Sequence, residues 1–406
     1  MLKKICTDFM VKTDIRQAVI LAGGRGERLR PLTNDKPKPM VLINGKPFLE
    51  YLIKMLKENG ILEIVILVGY LSEKITEYFG DGSKFGIRIK YSIGTIEDET
   101  GTRIRNAASL LDDEFLLMYC DNYWPLNLRK LEEFFNAHPS SATVTVYTNK
   151  RRITNNNMFV DGDGYVTIYD KSCTNPNLNG VDVGFFILKK KVLDLMPPQN
   201  FSFEKEIFPI LIAQRQLSGF QTDERYYSIG SIDRIPLTEA FLIPKKIIIL
   251  DRDGVINKKP PKADYVKKWD EFKFLPGAIQ AIRLLNDNNY QIYVITNQPG
   301  IARGMMSRDD LDTINKNFEE ELKRHGAKIN EIYMCLHGWN DGCDCRKPKP
   351  GLLFDLSFDH QIDLRKAIFI GDDERDKEAG EAAGCPTILI QSDGDLLNAV
   401  KSLLKL

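Results

Sequence analysis

Short apolar runs that stop at a glycine or a carboxylate set the rhythm of this chain. Residues 18–21 lead into a glycine-rich loop, 64–68 precede a helical pattern starting at about Ser72, and 115–119 end just before Asp121. Runs this short, alternating with helical periodicity, predict parallel strands whose connecting helices cover both faces of a sheet. The stretch 159–168 breaks the rhythm. There Asp161-Gly162-Asp163-Gly164 is a tight-turn signal and predicts an antiparallel hairpin, an excursion of the kind that walls a substrate pocket. A second strand–helix series starts at Ile247 and returns at 292–295, 331–335, 367–370 and 386–390. Leu242-Ile243-Pro244-Lys245-Lys246 precedes it, so a domain boundary is expected near Pro244, dividing the chain into 1–244 and 245–406. Neither an internal repeat nor a low-complexity tract interrupts either half.

Length agrees with two domains: 406 residues exceed one ordinary core and fit two α/β domains of roughly 150 to 250 residues. Lysine plus arginine equals aspartate plus glutamate at 56 each, which removes any global electrostatic case for nucleic acid or a membrane surface. Charge has to act locally. Residues 1–15 hold no apolar core for a secretory signal and no stretch approaches the ~20 apolar residues of a membrane span, so a soluble cytoplasmic protein is expected. Of the seven cysteines, Cys6, Cys120, Cys173 and Cys385 are scattered as core thiols would be. Cys335, Cys343 and Cys345 cluster with His337, one of only four histidines, and suggest a metal.

The chemistry gathers at predicted strand ends. Residues 247–250 deliver Asp251-Arg252-Asp253-Gly254 to such an end. One carboxylate there can attack phosphorus while its neighbour two along shuttles a proton, with a magnesium ion screening their repulsion. Thr296-Asn297 follow a second strand, Lys347 sits in Arg346-Lys347-Pro348, and Asp372-Asp373 follow Ile368-Phe369-Ile370-Gly371. The carboxyl edge of an open α/β sheet is its ligand crevice, so a nucleophile, a hydroxyl, a cation and a metal carboxylate would converge. A phosphate monoester repels an attacking carboxylate until cations neutralise its oxygens, which assigns Lys347 to the phosphate and Asp251 and Asp372 to magnesium.

These segments, in this order over 245–406, resemble the haloacid dehalogenase superfamily of phosphatases. The resemblance implies Asp251 as nucleophile and Asp253 as general acid and base, with the Asp253 carbonyl also on the metal. It implies no cap domain, because the interval from Asp253 to Thr296 leaves no room for one. Thr296-Asn297-Gln298, Gly300-Ile301-Ala302-Arg303-Gly304 and Cys345-Arg346-Lys347-Pro348 are similar to one subgroup, which carries a zinc loop before the Arg-Lys pair. That subgroup includes the D-glycero-D-manno-heptose 1,7-bisphosphate 7-phosphatases and the histidinol-phosphate phosphatases. Asn297, Arg303 and Arg346 are its candidate substrate contacts here. Cys335-Leu336-His337 and Cys343-Asp344-Cys345 each space two ligands by two, and alternate residues of an extended segment face one way. Three thiolates and one imidazole complete a structural zinc site with no open catalytic position.

The first half carries a different phosphate signature: Gly23-Gly24-Arg25-Gly26-Glu27-Arg28 after a strand, then Lys36-Pro37-Lys38-Pro39-Met40. Glycines let backbone N–H groups approach a triphosphate, and the basic side chains add charge-assisted bonds. The loop lacks the Gly-Lys-Ser/Thr ending of a Walker loop and the third glycine of a dinucleotide fingerprint. Over 16–240 it resembles the sugar-1-phosphate nucleotidylyltransferases. The resemblance implies Arg28 and Lys38 on the triphosphate, Asp121 on magnesium, Gly101-Thr102 near the base and Lys171 on the sugar phosphate. A sugar phosphate oxygen would attack the α-phosphorus in line, without a covalent enzyme intermediate. Three positions depart from the family pattern. Ser228, in Tyr227-Ser228-Ile229-Gly230, stands where many members hold a second metal-binding aspartate; Arg103-Ile104 replace small residues; Asp170 replaces glutamate. Either Asp182 completes the metal site from a neighbouring strand, or one metal suffices, or this half binds sugar nucleotide without turning it over.

The expectation is therefore a fusion of two doubly wound domains, a Rossmann-like nucleotidyltransferase fold and a capless haloacid dehalogenase-like fold. Together they would dephosphorylate a heptose 1,7-bisphosphate and activate the resulting heptose 1-phosphate. GTP is favoured because the first half is most similar to D-glycero-D-manno-heptose 1-phosphate guanylyltransferases, although CTP, ATP or UTP would need the same cradle. The alternatives are the same activities on another sugar phosphate such as mannose 1-phosphate, a histidinol-phosphate phosphatase, and a phosphatase with a non-catalytic sugar-nucleotide sensor. Expected partners are small molecules, without nucleic acid or membrane, and a homo-oligomer is left open.

Overall fold

The computed structural model describes residues 13–391 and 395–406 in two compact units, one ending at Leu242 and the other starting at Ile243. Cys6 and most of the 1–15 segment lie outside the described residues. The first unit is built on seven strands: β1 (Gln17–Ala22), β2 (Glu63–Val68), β3 (Arg88–Ile93), β4 (Glu114–Tyr119), β5 (Ala142–Tyr147), β6 (Val181–Lys189) and β7 (Leu217–Thr222). They lie in the order β7-β5-β6-β4-β1-β2-β3, and all pairs are parallel except those of β6 with β4 and β5. β1 is buried along its whole length. Its side chains alternate between two cores, Ala18, Ile20 and Ala22 in one and Val19 and Leu21 in the other, as a strand covered on both faces must. Helix α1 (Phe48–Glu58) packs Leu49, Leu52, Ile53 and Leu56 into the first core, while α2 (Phe203–Ala213) packs Ile207, Phe208 and Leu211 into the second.

The expected hairpin is a separate ribbon, Met158–Val160 against Val166–Tyr169, whose turn is closed by the Asp161 carboxylate accepting the N–H groups of Asp163 and Tyr165 at 3.0 and 2.9 Å. The antiparallel excursion runs further than the hairpin, because β6 returns through the main sheet. Of the scattered cysteines, Cys120 and Cys385 are buried, whereas Cys173 is partly exposed in a turn with a φ of 58° and is not a core thiol.

The second unit has five parallel strands, β8 (Ile247–Leu250), β9 (Gln291–Asn297), β10 (Glu331–Cys335), β11 (Ile368–Gly371) and β12 (Thr387–Leu389), in the order β10-β9-β8-β11-β12. Between Gly254 and β9 lie only a short turn at Trp269–Glu271 and the helix Ala278–Asp287, so no cap domain is inserted there. In each sheet the first strand is internal and its successors fall on opposite sides of it, β2 and β4 flanking β1, β9 and β11 flanking β8. The chain leaves a crevice at the carboxyl end of such a strand. Among the described residues, no helix is long and apolar enough to cross a membrane.

Ahead of β11, Asp363 accepts from Arg365 Nε at 2.8 Å and Nη2 at 2.7 Å and lies 3.1 Å from Lys366 Nζ. Burial opposes its charge, but Arg365 and then Lys366 override that and hold the carboxyl down at about 2. A carboxyl held below its unfolded value of about 3.9 adds stability that is complete above that value and is lost as pH falls toward the folded one. Asp363→Asn is therefore expected to cost the second unit about 2 kcal/mol near neutral pH, with the gap closing between about pH 4 and pH 2. Denaturant titrations across that window measure it, and a pH-independent gap would contradict the assignment.

Two candidate active sites

β8 hands Asp251 to the crevice edge, and Lys347 reaches it from the loop before helix α3 (Gly351–His360). Lys347 Nζ lies 2.8 Å from Asp251 Oδ1 and 2.6 Å from Asp376 Oδ1, and donates to the Ile295 carbonyl at 3.1 Å. All three side chains are buried. Burial alone would depress the Lys347 ammonium, but the two carboxylates reverse this and hold it above its ordinary value. Burial pushes Asp251 up to about 7, with Lys347 pulling the other way and Asp376 adding to the rise.

Asp253 has its own set of hydrogen-bond partners. Its carboxylate accepts from Asn257 Nδ2 at 2.8 Å, Gln298 Nε2 at 2.7 Å and Arg252 Nη2 at 3.1 Å. The same Gln298 amide donates to the Thr296 hydroxyl at 2.9 Å, so one side chain sets both groups. Asn297 and Lys347 exchange a pair of bonds, Asn297 Nδ2 to the Lys347 carbonyl at 3.0 Å and Lys347 N–H to Asn297 Oδ1 at 3.1 Å. Asp251, Asp253, Thr296, Asn297, Arg346 and Lys347 line one cavity of about 560 Å³. Arg303 is absent from that lining. It donates to the Ala263 carbonyl and the Tyr265 hydroxyl and stacks 4.4 Å from the Trp339 ring, and Tyr265 and Trp339 form part of the cavity wall.

Asp372 follows β11, with Oδ2 2.7 Å from Lys259 Nζ and Oδ1 buried without a hydrogen-bond partner. Ligand atoms of Asp251, Asp372 and Asp376 lie within 4.8 Å of one another. Three carboxylates around an orphaned oxygen suit a hard divalent cation, which takes oxygen ligands. Gly254 makes the space: its φ is +100°, and a Cβ there would lie 2.2 Å from Asp372 Oδ2. Asp376 and Lys259 were not among the residues the sequence pattern singled out, and Gln298 stood in its motif without a role. Asp376 closes a capping box with Asp373 at the start of helix α4 (Glu374–Ala383), so Asp-x-x-Asp reads as a helix start. Its Oδ2 accepts from the N–H groups of Asp372 and Asp373 at 3.1 and 3.2 Å, while its Oδ1 faces Lys347.

In the loop after β10, Cys335 Sγ lies 3.8 Å from Cys343 Sγ and 3.7 Å from His337 Nδ1, which is itself 3.2 Å from Cys345 Sγ. A tetrahedron with Zn–S bonds of ~2.3 Å has S···S edges of about 3.8 Å, so this donor set fits zinc.

In the first unit the loop after β1 packs on Lys38: a Cβ at Gly26, where φ is +65°, would lie 3.1 Å from Lys38 Cβ, and the Thr33 hydroxyl donates to the Gly26 carbonyl at 2.9 Å. Lys38 Nζ in turn lies 2.6 Å from Asp121 Oδ2. The glycine loop and the end of β4 thus meet across the crevice. Arg25 and Arg28 are exposed, with Arg25 3.5 Å from Glu97. Asp182 keeps part of its surface open, yet the protein packed around it pushes its carboxyl up to about 7, opposed by the Gly184 N–H and Lys171 and reinforced by Asp121. Lys171 is itself exposed. The Ser228 hydroxyl donates to the Asp121 carbonyl at 3.2 Å and accepts from Gly230 N–H at 2.9 Å, so it is spent on the main chain beside Asp121. Gly101 and Thr102 are buried against the 201–203 segment: a Cβ on Gly101 would strike the Phe201 ring at 2.1 Å, and the Thr102 hydroxyl accepts from Phe201 N–H at 3.0 Å.

Each unit is matched by known proteins. Residues 17–242 match the family described as nucleotidyl transferase, and residues 246–385 match polynucleotide kinase 3 phosphatase. The chain is 40% identical over 147 residues, 36% of its length, to 81% of a D-glycero-beta-D-manno-heptose-1,7-bisphosphate 7-phosphatase from Bordetella bronchiseptica. It is 37% identical over 164 residues, 39% of its length, to 91% of a D-glycero-alpha-D-manno-heptose-1,7-bisphosphate 7-phosphatase from Campylobacter jejuni. Among solved structures, HddC from Yersinia pseudotuberculosis complexed with GMP-PN shares 26% identity over 55% of this chain and 97% of its own, with a TM-score of 0.46. The phosphatase from B. bronchiseptica complexed with magnesium and phosphate shares 35% identity over 39% of this chain and 98% of its own, with a TM-score of 0.37.

Removing the ammonium at position 347 would leave two buried carboxylates facing each other. Lys347→Met is expected to cost the second unit about 3–5 kcal/mol in denaturant titrations with chelator present, and a loss under about 1 kcal/mol would show that this lysine is not their counter-charge.

Proposed function

Because the chain belongs to the nucleotidyl transferase family through residues 17–242 and also to the family of the D-glycero-D-manno-heptose-1,7-bisphosphate 7-phosphatases, we propose that it activates a heptose in two steps. The phosphatase unit removes the C7 phosphate of a heptose 1,7-bisphosphate. The transferase unit then joins the heptose 1-phosphate to a nucleoside triphosphate and releases pyrophosphate, so one unit's product is the other's substrate. The observation that carries this reading is the Lys347 ammonium held between Asp251 and Asp376 on the cavity that Thr296 and Asn297 also line.

In the phosphatase, the Asp251 carboxylate attacks phosphorus and the P–O bond to C7 breaks, leaving an aspartyl phosphate. Asp253, fixed by Asn257 and Gln298, protonates the departing sugar oxygen and then takes a proton from the water that hydrolyses the intermediate. Lys347 and the Thr296 hydroxyl hold the equatorial oxygens, and Arg346, which lines the cavity with a buried unpartnered Nη1, faces the rest of the substrate. Asp251, Asp372 and the Asp253 carbonyl, with Asp376 beside them, would hold magnesium, whose charge when bound offsets the repulsion between phosphate and carboxylates.

In the transferase, Arg28, Lys38 and the N–H groups of the glycine loop hold the triphosphate, Asp121 would hold magnesium, and Lys171 orients the sugar phosphate. Catalysis there is positioning and charge neutralisation. GTP follows from the resemblance of residues 16–240 to the heptose 1-phosphate guanylyltransferases. The relatives of the phosphatase include both anomeric specificities, so the transferase takes whichever anomer the phosphatase leaves. One observation favours a sensor instead of a transferase: Ser228, in place of a metal-binding aspartate, spends its hydroxyl on the main chain. The cluster of Cys335, His337, Cys343 and Cys345 would hold a structural zinc that steadies the loop leading to Arg346 and Lys347.

Phosphate release from both heptose 1,7-bisphosphate anomers, and pyrophosphate release from heptose 1-phosphate with each triphosphate, test the reading directly. Phosphate release from a heptose bisphosphate and pyrophosphate release with GTP are expected; the absence of pyrophosphate release with every one of the triphosphates would favour the sensor. Asp251→Asn is expected to abolish phosphate release and spare nucleotidyl transfer, and Asp121→Ala to do the converse. Loss of both activities in one folded single variant would contradict independent sites. Purified protein is expected to carry about one zinc per chain, and less than about half an equivalent by metal analysis would remove the zinc assignment.

A further inference from the structure

Arg103 lies in the short helix Thr100–Asn106, and its guanidinium is almost completely buried, 6% of the residue remaining exposed. All three of its hydrogen bonds go to main-chain carbonyls, from Nη1 to Val68 at 2.9 Å and from Nη2 to Gly23 at 3.3 Å and Thr95 at 2.7 Å. Those carbonyls belong to the segments that leave β2, β1 and β3. The residue just after each of these strands is a glycine, and a Cβ at Gly23, Gly69 or Gly94 would lie 2.2, 2.6 or 3.1 Å from the guanidinium. Three strand exits are therefore tied together by one cation; it excludes a side chain at Gly23 and Gly69, while at Gly94 the nearer obstacle to a Cβ is the Asp98 carboxylate at 2.5 Å.

The tie has a direction. The C=O and N–H of a trans peptide point opposite ways, and the Gly23 carbonyl is held inward by Arg103 and by the Tyr70 N–H at 3.2 Å. The N–H of Gly24 then points away from the guanidinium. Gly24 is exposed, and a Cβ there would meet nothing within 4 Å. The buried side chain thus fixes which face of the glycine loop offers its donor outward.

We propose that Arg103 is a positioning residue for the nucleoside triphosphate: by pinning the carbonyls of Gly23, Val68 and Thr95 it aims the glycine-loop N–H groups at the phosphates without touching them. The inference rests on the glycine loop being the triphosphate cradle. A fixed donor to a charged group is worth roughly tenfold in affinity.

The test uses the full chain with Arg103→Met and Arg103→Lys, which keeps a positive charge but loses the fork that reaches three carbonyls. In pyrophosphate-release kinetics, KM for GTP is expected to rise about tenfold or more in both variants, with KM for heptose 1-phosphate within about twofold of the parent. A lower kcat with both KM values unchanged, as a smaller active fraction would give, overturns the proposal, and so does full recovery of KM in Arg103→Lys. Equilibrium binding of magnesium-GTP supplies a readout without turnover: equal affinity in parent and variants overturns the proposal, whereas an inactive parent that binds GTP about tenfold more tightly than the variants supports it and refutes only the transferase reading. If Arg103→Met does not fold, Arg103→Lys carries both measurements.

Discussion

Two buried strands carry the chemistry of this protein at their carboxyl ends. β1 and β8 are covered on both faces, and in each sheet the chain goes on to place strands on either side of that first one. Helices connecting strands to left and right cannot both cover the central strand's exit, so a crevice opens there. What the chain releases at that point faces the crevice with a rigid floor beneath it. After β1 it releases the glycine loop, and after β8 it releases Asp251. The partners, Asp121 at the end of β4 and Asp372 just after β11, arrive on the adjacent strand across the gap.

Each crevice solves the problem of holding charge in a poorly hydrated place, and by different means. In the second unit a buried ammonium sits between two carboxylates, and the orphaned oxygen of Asp372 leaves room for a further cation. Such an arrangement is costly to desolvate and costly to break, which gives it positional rigidity more than net stability. In the first unit the buried cation beneath the loop is matched by carbonyl dipoles, while Lys38 pairs with Asp121 in a more open setting. Glycine is required at Gly254 and Gly23 for the same reason, since a functional side chain occupies the volume a Cβ would need.

The strands that line the crevices were legible because they are buried, short and continuously apolar: 64–68, 115–119 and 247–250 each lie within an observed strand. β3 gave no such signal. Its sequence Arg88-Ile89-Lys90-Tyr91-Ser92-Ile93 alternates charge and apolar residues because it is the sheet edge, where charge protects an unpaired ladder. The stretch 159–168 announced a turn through Asp161, but the antiparallel course of β6 depends on pairing with β4 and β5, which no local pattern encodes. Asp376 escaped notice because a capping box explains it locally, and Gln298, legible as part of a motif, had no role assigned because only the fold brings Asp253 and Thr296 to one amide.

The sequence by itself determined which residue types stand at strand ends, that two α/β domains form, and where glycine and lysine must fall, because burial periodicity and turn chemistry are local properties of the chain. Only the tertiary structure decided that Lys347 meets Asp251 and Asp376, that Gly101 and Thr102 are consumed by Phe201, and that Arg103 ties three strand exits together. Those outcomes depend mostly on distances between segments from about thirty to about a hundred residues apart, and such distances exist only once helices and strands have packed.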